Sequence, residues 1–207
     1  MVIAIATMVL GSLVAIAQRD VKRMLAFSSI AHAGFLLAAV LGLNGPSLAA
    51  ALFYLVTYGF TTLGAFGVVT LVRDASGEVT DLNRWVGLGK KAPLTAAVFT
   101  LFLLSFAGIP LTAGFIGKFG VFAGAYSGGN ISVVVVGVLT SAVTAFFYLR
   151  VVIMMYFQDP KSDTVSVVIP SFKTRFAIAI SAIVTLVFGV FPGPLMELAA
   201  NYASFIR

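Results

Sequence analysis

The sequence predicts an all-α integral membrane protein, a bundle of six transmembrane segments of which the fourth is a broken helix. Three observations lead to this prediction. Hydrophobic residues make up 60% of the 207 residues and charged residues only 10%, which gives a mean hydropathy of +1.10. Soluble domains of this size do not have such a composition. Apolar runs long enough to cross a membrane alternate with polar turns, and the longest run contains a proline near its middle.

Hydropathy divides residues 1–207, which we treat as a single transmembrane domain, into six spans. The spans cover residues 2–17, 24–43, 48–72, 93–126, 131–157 and 176–190, and a short amphipathic tail helix follows the last one. Tight turns are expected after the first, second and fourth spans, where charged, Gly-Pro or Gly-Gly sequences interrupt the apolar pattern. Two longer polar loops follow the third and fifth spans.

The fourth span, residues 93–126, is too long to be one straight helix across a membrane. Its 34 residues would extend about 50 Å, against a hydrocarbon core of about 30 Å. Pro110 has no N–H, and its ring clashes with the carbonyl of Phe106 one turn earlier. We therefore expect two half-helices joined by an unwound piece around residues 108–114, near mid-membrane. The residues that mark the break are Gly108, Pro110 and Gly114.

Such a break has a functional meaning in a membrane. Backbone groups left unpaired at that depth are tolerated only inside protein or beside water. Transporters build their ion sites from discontinuous helices of this kind near the bilayer midplane. The sequence therefore indicates an ion pathway beside the fourth span.

Lys118 is the only charged residue of this span and lies eight positions after Pro110. One interpretation is a lysine near a helix end that extends its ammonium to the membrane surface. The other is an ionisable group inside the bundle, since apolar and small residues continue from Lys118 as far as Tyr126. Ionisable residues at that depth are costly and usually functional, and a buried lysine gives up its proton more readily than an exposed one. On this hypothesis Lys118 loads and releases a proton.

The second span carries a further set of polar residues. Ser28 and His32 are four residues apart and share a helix face, and Lys22 lies about 15 Å before His32 along the helix. The three residues could transfer protons stepwise from the surface to mid-membrane. The alternative is a buried histidine bonded to a carbonyl, with Lys22 as an ordinary loop charge. An ionisable residue in a lipid-spanning helix favours the functional interpretation.

Two other spans show polar stripes at helical spacing. The stripes consist of Tyr54, Tyr58 and Thr61 in the third span and of Thr140, Thr144 and Tyr148 in the fifth. Each stripe could line water and pass protons. Each could equally hydrogen-bond one helix to the next, as is common in membrane bundles. Both interpretations remain open from the sequence.

Composition also bounds the chemistry. The absence of cysteine excludes iron–sulfur clusters and zinc sites built on cysteine, and a single histidine excludes haem held by two histidines. The sequence contains no GxGxxG and no phosphate-binding loop. We therefore expect no cofactor or metal in this chain. The net charge of +6 is interpreted as loop charge that sets membrane orientation, and no nucleic-acid partner is expected.

The distribution of Lys and Arg predicts the orientation. Eleven of them fall on the side of the charged loops, one, Arg207, falls on the other side, and Lys118 lies between. The eleven are Arg19, Lys22, Arg23, Arg73, Arg84, Lys90, Lys91, Arg150, Lys161, Lys173 and Arg175. By the positive-inside rule the charged loops are cytoplasmic and both ends of the chain face outward. An outward N-terminus with no preceding segment suggests either the later part of a longer protein or a chain that works only beside other subunits.

Four stretches together resemble one family. In chain order they are AIAQRDVKRMLAFSSIAHAGF, GAFGVVTL, FLLSFAGIPLTAGFIGKF and YLRVVIMMYF. They resemble subunit N of NADH–quinone oxidoreductase, one of the antiporter-like membrane subunits of respiratory complex I. The resemblance runs from the first span to the last.

The resemblance implies a particular architecture and set of roles. Family members contain two inverted five-helix repeats, and this chain is similar to the second repeat plus the terminal helix. The first repeat, with its own lysine and a partner glutamate, is then expected elsewhere. By motif, Lys118 matches the lysine of the second broken helix, which exchanges protons with the outer face. His32 and Lys22 match polar residues of the hydrophilic axis.

The resemblance also implies a function and its partners. It implies a proton-translocating subunit that couples quinone reduction elsewhere in the complex to proton transfer through this lysine/histidine axis. NAD, FMN, iron–sulfur clusters and quinone are then expected in partner subunits. The expected partners are other antiporter-like and small hydrophobic subunits of the membrane arm, together with membrane lipid. The expected location is the bacterial plasma membrane. Two alternatives remain: a subunit of a multi-subunit cation/proton antiporter, and a purely structural segment.

Overall fold

The computed structural model describes residues 1–42, 44–159 and 166–203, and most of these residues are helical. The helices are α1 (Val2–Ile16), α2 (Val21–Val40), α3 (Gly45–Val69), α4 (Leu88–Lys91), α5 (Pro93–Ala107), α6 (Ala113–Ser127), α7 (Ile131–Phe157), α8 (Phe172–Val190) and α9 (Gly193–Ala203). The strands are β1 (Val72–Asp74), β2 (Gly77–Glu78) and β3 (Ser166–Val167), and a 3-10 turn covers Leu82–Trp85. The predicted end of the second span, Leu43, and two residues of the charge count, Lys161 and Arg207, lie outside the described residues.

Four helices in the described part of the chain have the length and apolar composition needed to cross a membrane. They are α2, α3, α7 and α8. Helices α1 and α5 are apolar but shorter, and α5 and α6 have 15 residues each, about 22 Å. A mostly helical protein with long apolar helices was predicted, and this is confirmed. The count of six spans stays a prediction.

Helices α2 and α8 begin before the apolar runs from which their spans were predicted. The Asp20 carboxylate accepts a hydrogen bond from the backbone N–H of Arg23 at 2.9 Å. The Ser171 hydroxyl oxygen accepts one from the N–H of Thr174 at 3.3 Å. Polar side chains at these positions satisfy the free N–H groups of a first helical turn. Hydropathy does not register such caps, so each helix begins a few residues before its apolar run, and the bounds of the membrane spans stay predictions.

The charged loops meet at one end of the helical bundle. The Val21 N–H donates to the Thr80 carbonyl at 2.7 Å, and the Thr80 hydroxyl donates to Asp20 at 2.5 Å. The Leu82 N–H donates to the Arg19 carbonyl at 2.8 Å. Strand β1 pairs antiparallel with both β2 and β3, which joins the α3–α4 loop to the segment before α8. Three separate polar segments therefore form one surface.

Asp74 fixes the tip of the β1–β2 hairpin on this surface. Its carboxylate accepts hydrogen bonds from the N–H and the hydroxyl of Ser76 at 2.7 and 2.6 Å, and from Arg84 at 2.5 Å. The bonds from Ser76, followed by the Arg84 guanidinium, hold the pKa of Asp74 well below its usual range. The stabilisation is therefore present above the ordinary carboxyl pKa of about 4 and is lost as the pH falls below it.

The opposite end of the bundle is formed by two tight turns. The Asn130 side-chain amide donates to the Leu41 carbonyl at 3.0 Å, and the Asn44 amide donates to the Ser127 hydroxyl at 3.0 Å. The described residues of these two turns include no Lys or Arg. Among the described residues, the lysines and arginines of the loops therefore lie at one end of the structure, and the orientation in the membrane stays a prediction.

Helix α3 lies at the centre of the packing and contacts α2, α5, α6, α8 and α9. One buried cluster joins the charged end to the bundle. Trp85 is fully enclosed, its indole N–H donates to the Val79 carbonyl at 2.8 Å, and its ring lies 4.9 Å from the ring of Phe99 on α5. The 70–92 loop therefore packs on the helices through a buried side chain, Trp85.

Helices α5 and α6 are separated by residues 108–112, and their facing ends overlap side by side. A Cβ added to Gly114 on α6 would collide with the Ser105 carbonyl oxygen on α5. The Ser105 hydroxyl also accepts a hydrogen bond from the Gly114 N–H at 3.2 Å. Leu111, in the linker, adopts a left-handed φ of 72°, which is strained for a leucine. Close packing at Gly114 therefore fixes how the two helices meet.

This contact gives a first prediction. Replacing Gly114 with Ala should destabilise the detergent-purified protein by about 1–3 kcal/mol, because the new methyl forces backbone apart in a packed interface. Gly59→Ala is the matched control: it lies within α3, and an added Cβ there meets no atom within 4 Å. The control should be neutral or slightly stabilising, since Ala favours helix over Gly. Thermal unfolding measures both, and equal midpoints for the two variants would contradict the packing described.

Candidate functional site

The site begins with the way α5 ends. Gly108 adopts φ +79°, and the N–H groups of Gly108 and Ile109 turn back to the carbonyls of Ser105 and Leu104, each at 3.0 Å. This is the common glycine-terminated helix end. It leaves the carbonyl oxygens of Phe106 and Ala107 without a backbone donor. In a continuous helix the N–H of residue 110 would donate to the Phe106 carbonyl, but residue 110 is a proline and has no N–H.

The ammonium of Lys118 occupies this position. Its Nζ donates to the Phe106 carbonyl at 2.7 Å, to the Ala107 carbonyl at 3.4 Å and to the Ser141 hydroxyl on α7 at 3.1 Å. A lysine ammonium has three N–H donors, so the three contacts account for all of them. The side chain is only 4% exposed. The negative end of the α5 dipole lies at the same place and favours a cation.

Three close approaches guide Lys118 to the end of α5. A Cβ at Gly108 would lie 3.0 Å from Lys118 Cδ, so a larger residue there would push the lysine stem aside. Gly117, the preceding residue, packs directly on the Tyr54 ring of α3. The Phe35 ring of α2 lies 5.0 Å from Nζ, within cation–π range. The Lys118 side chain therefore lies against α2, α5 and α7, while the preceding residue packs on α3.

His32 lies at the centre of a second polar cluster. Its Nδ1 lies 2.5 Å from the Tyr54 hydroxyl, and its Nε2 lies 3.3 Å from the Tyr148 hydroxyl. Tyr148 in turn donates to the Ser28 hydroxyl at 2.6 Å, and Ser28 donates to the Leu25 carbonyl at 3.0 Å. His32, Ser28, Tyr54 and Tyr148 are all buried. The interpretation of His32 as a histidine bonded to a backbone carbonyl finds no such contact among the described residues.

The direction of these hydrogen bonds can be worked out. Tyr148 has one proton and gives it to Ser28, so its oxygen must accept from the Nε2–H of His32. A neutral imidazole protonated at Nε2 accepts at Nδ1, so Tyr54 donates to His32. The bonds therefore run in one direction, from Tyr54 through His32 and Tyr148 to Ser28. We call this set the His32 chain.

Two aromatic rings separate the His32 chain from Lys118. The rings of Phe35 and Phe106 each lie 5.5 Å from the His32 ring. Phe35 also faces the Lys118 ammonium, while Phe106 stacks on Tyr148 at 5.4 Å and holds Lys118 through its carbonyl. No hydrogen bond joins His32 to Lys118 in the described structure. The two polar groups are thus neighbours across an aromatic wall made of Phe35 and Phe106.

Of the other residues predicted to line water, Tyr58 and Thr61 contact other helices, whereas Thr140 and Thr144 bond within their own helix. Tyr58 stacks on His32 with centroids 4.6 Å apart, and Thr61 contacts the Thr185 hydroxyl of α8 at 3.2 Å. Thr140 and Thr144 hydrogen-bond to carbonyls of their own helix. Of the predicted axis residues, Lys22 is not brought to His32.

Lys22 lies at the charged end of the molecule, in the first turn of α2. It forms an ion pair with Glu78 of β2, and its side chain is 38% exposed. Ion pairs of this exposure contribute little to stability. The structure thus places Lys22 among the loop charges. The Ser28 hydroxyl donates to the Leu25 carbonyl and not to Lys22.

Ser141 and Ser105 are two residues of the site that were not predicted from the sequence. Ser141 and Tyr148 are seven residues apart on α7 and share a face, so the spacing that found Tyr148 could have found Ser141 as well. Ser105 has no comparable signal, since its role depends on how α6 returns beside α5. Within the described residues, no group of three or more His, Asp or Glu side chains could hold a metal ion.

Fold and site together define the class: a multi-pass membrane protein with an antiporter-like fold and a buried lysine at a helix end. A family model described as NADH:quinone oxidoreductase/Mrp antiporter, TM, matches residues 1–144. The chain belongs to this family. It is 54% identical over 205 residues to subunit N of NADH-quinone oxidoreductase from Rhodococcus opacus. The match covers 99% of this chain and 38% of that protein.

Solved structures show the same fold. A chain of respiratory complex I from Thermus thermophilus is 34% identical, with a TM-score of 0.83, over 96% of this chain and 45% of that one. A chain of the Mrp complex from Dietzia has a TM-score of 0.84 at 24% identity, over 98% of this chain and 46% of that one, and shows the fold alone. The resemblance found in the sequence is confirmed. The present chain spans about two fifths of the length of its curated relatives.

The His32 chain gives a second prediction. Tyr148→Phe removes the hydroxyl that joins His32 to Ser28 but keeps the ring against Phe106, so it should destabilise the protein by about 1–2 kcal/mol. Tyr156→Phe is the control on the same helix, because Tyr156 has no side-chain hydrogen bond to another described residue. It should change stability by less than about 0.5 kcal/mol. Denaturation of both variants in detergent tests this, and a Tyr148→Phe protein as stable as Tyr156→Phe would refute the assignment.

Proposed function

We propose that this chain is the proton-translocating half of an antiporter-like membrane subunit of NADH–quinone oxidoreductase. Relatives more than 50% identical over nearly the whole chain carry that name, which supports the proposal. Electron transfer from NADH to quinone then takes place in partner subunits that hold NAD, FMN, iron–sulfur clusters and quinone. The task of this chain is to move protons when that reaction changes the charges around it.

The observation that carries the proposal is the Lys118 ammonium on the unpaired carbonyls of Phe106 and Ala107. The charged form satisfies three acceptors, so the site holds a proton in a buried position. When the proton leaves, the amine retains two donors and gains a lone pair. The Ser141 hydroxyl can then rotate to donate to the amine, because a serine hydroxyl both donates and accepts. The site therefore has a satisfied arrangement in each protonation state.

Entry and exit lie on different sides of Lys118. The His32 chain lies on one side, and its hydroxyls and imidazole can each reverse their hydrogen bonds to pass a proton toward the lysine. Rotation of Phe35 or Phe106, with water admitted behind it, would open the aromatic wall. Ser141 accepts a hydrogen bond from the Lys118 ammonium and is half-buried, and we assign it the first step of the outward route.

The location proposed is the bacterial plasma membrane, with the charged loops in the cytoplasm. The concentration of Lys and Arg at the end formed by β1, β2 and β3 supports this orientation. On this proposal α5, residues 108–112 and α6 together form the broken fourth of six spans. The other half of the subunit and further membrane-arm subunits, antiporter-like and small hydrophobic, then cover part of the exposed apolar surface.

A cation/proton antiporter subunit is the second candidate. The family model spans both classes, and the Mrp chain shares the fold. The two candidates differ in what drives transport. Sodium-dependent proton movement in vesicles without NADH or quinone favours the antiporter, whereas proton movement that requires both NADH and quinone favours the respiratory complex.

The third prediction tests the role of Lys118 in the assembled complex. Lys118→Met removes the exchangeable proton and should lower proton pumping several-fold. Lys118→Arg keeps a cation for the two carbonyls but holds its proton permanently, so it should preserve assembly better than Met and pump no better. Pumping is followed by a pH-sensitive dye in inverted membrane vesicles supplied with NADH.

The control is Lys90→Met, which makes the same chemical change at an exposed lysine paired with Asp159. It should pump at the wild-type rate. Pumping restored by Lys118→Arg would mean that the lysine is only a structural cation, and full pumping in Lys118→Met would discard the proposal.

A further inference from the structure

Two joined hollows lie at the charged end of the molecule, and Lys118 lines neither of them. The first has a volume of about 450 Å³ and is lined by Lys91, Arg175 and residues 166–170. The second, of about 490 Å³, lies between α5 and α8 against the end of α3. Arg175 and Pro170 line both hollows, which are joined in the sense that they share these two lining residues.

The first hollow has the chemistry of an anion site. Lys91 and Arg175 face it, and none of the described residues that line either hollow is acidic. Arg175 makes no side-chain hydrogen bond or ion pair with another described residue. A guanidinium binds phosphate through two parallel hydrogen bonds, which an ammonium cannot do. A phosphate group here would meet an available fork of donors.

The second hollow has the chemistry of an acyl-chain groove. Leu94 and Val98 on α5 face Ala179 and Ala182 on α8, and each pair is spaced for a single helix face. Small alanines on one wall keep the groove open, while Leu94 remains 77% exposed. From Arg175 to Ala182 the helix rises about 10 Å. The groove therefore leads from the cationic end into the apolar part of the bundle.

We propose that the joined hollows bind one anionic phospholipid, with its phosphate on Arg175 and Lys91 and an acyl chain between α5 and α8. Both helices begin at the charged end, so Arg175 stands at the level where lipid headgroups lie. The order of the two chemistries, cationic at the surface and apolar toward the interior, matches the order within a phospholipid. Neither a free phosphate nor a protein helix accounts for both halves. This site is separate from the proton route and goes beyond the proposed function.

The test uses the intact complex purified from bacterial membranes and placed in nanodiscs with photoactivatable phosphatidylglycerol. Light-induced labelling of peptides from the α5–α8 groove is read by mass spectrometry. Arg175→Gln should weaken this labelling about tenfold, the effect of losing one charge-assisted contact. Lys173→Gln makes the same loss of charge on the same helical turn but lines neither hollow, and it should label like the wild type.

A groove variant and two competitors sharpen the result. Ala182→Phe fills the groove while leaving Arg175 in place, and it should also reduce labelling. Unlabelled phosphatidylglycerol should displace the probe, whereas phosphatidylcholine and inorganic phosphate should not. Equal labelling of Arg175→Gln and Lys173→Gln overturns the proposal. So does displacement by phosphate alone, or a groove that cross-links to a neighbouring protein chain. Because the readout is lipid labelling, it is independent of whether Lys118 moves protons.

Discussion

The structure depends on one constraint: a backbone carbonyl buried at membrane depth must find a donor. Pro110 removes the N–H that would have paired with the Phe106 carbonyl, and Gly108 ends the helix two residues before that proline. Lys118 supplies the missing donors from the returning helix. The lysine is therefore held in place by the same break that makes room for it. Removing either partner leaves buried polar groups unpaired, at about 1–3 kcal/mol for each carbonyl.

Phe106 contacts both Lys118 and the His32 chain. Its carbonyl contacts the Lys118 ammonium, and its ring contacts His32 and stacks on Tyr148. A change in the proton on Lys118 therefore acts directly on the residue that closes the aromatic wall. Buried packed groups have discrete arrangements rather than a continuous range, so such a change can favour one ring position over another. On the proposed function, a local protonation step would in this way alternate access between the His32 side and the Ser141 side.

Sequence reasoning was most informative where one residue determines its own surroundings. The missing N–H of Pro110 agrees with the end of α5 at Ala107, and Lys118, alone in an apolar run, is buried. The broken fourth span and the proton-transfer role of Lys118 stay predictions. Sequence reasoning was weaker wherever two distant segments meet. Helical spacing places Lys22 and His32 on one element, but only the folded loops show that Lys22 pairs with Glu78. Helical spacing could have placed Ser141 on the same face of α7 as Tyr148, but its contact with Lys118 depends on the register between α6 and α7, which the spacing does not determine.

The most direct test is whether the Lys118 Nζ is held in three hydrogen bonds or exposed to water. Protein labelled with ¹⁵N at lysine side chains, with the Lys118 signal assigned by its loss in the arginine variant, reports hydrogen bonding and exchange with water by NMR. The account predicts an ammonium signal with N–H protons that exchange much more slowly than those of exposed lysines, because carbonyls and a hydroxyl hold all three. A signal that exchanges as fast as those of the surface lysines would contradict it and would place Lys118 at the lipid headgroups.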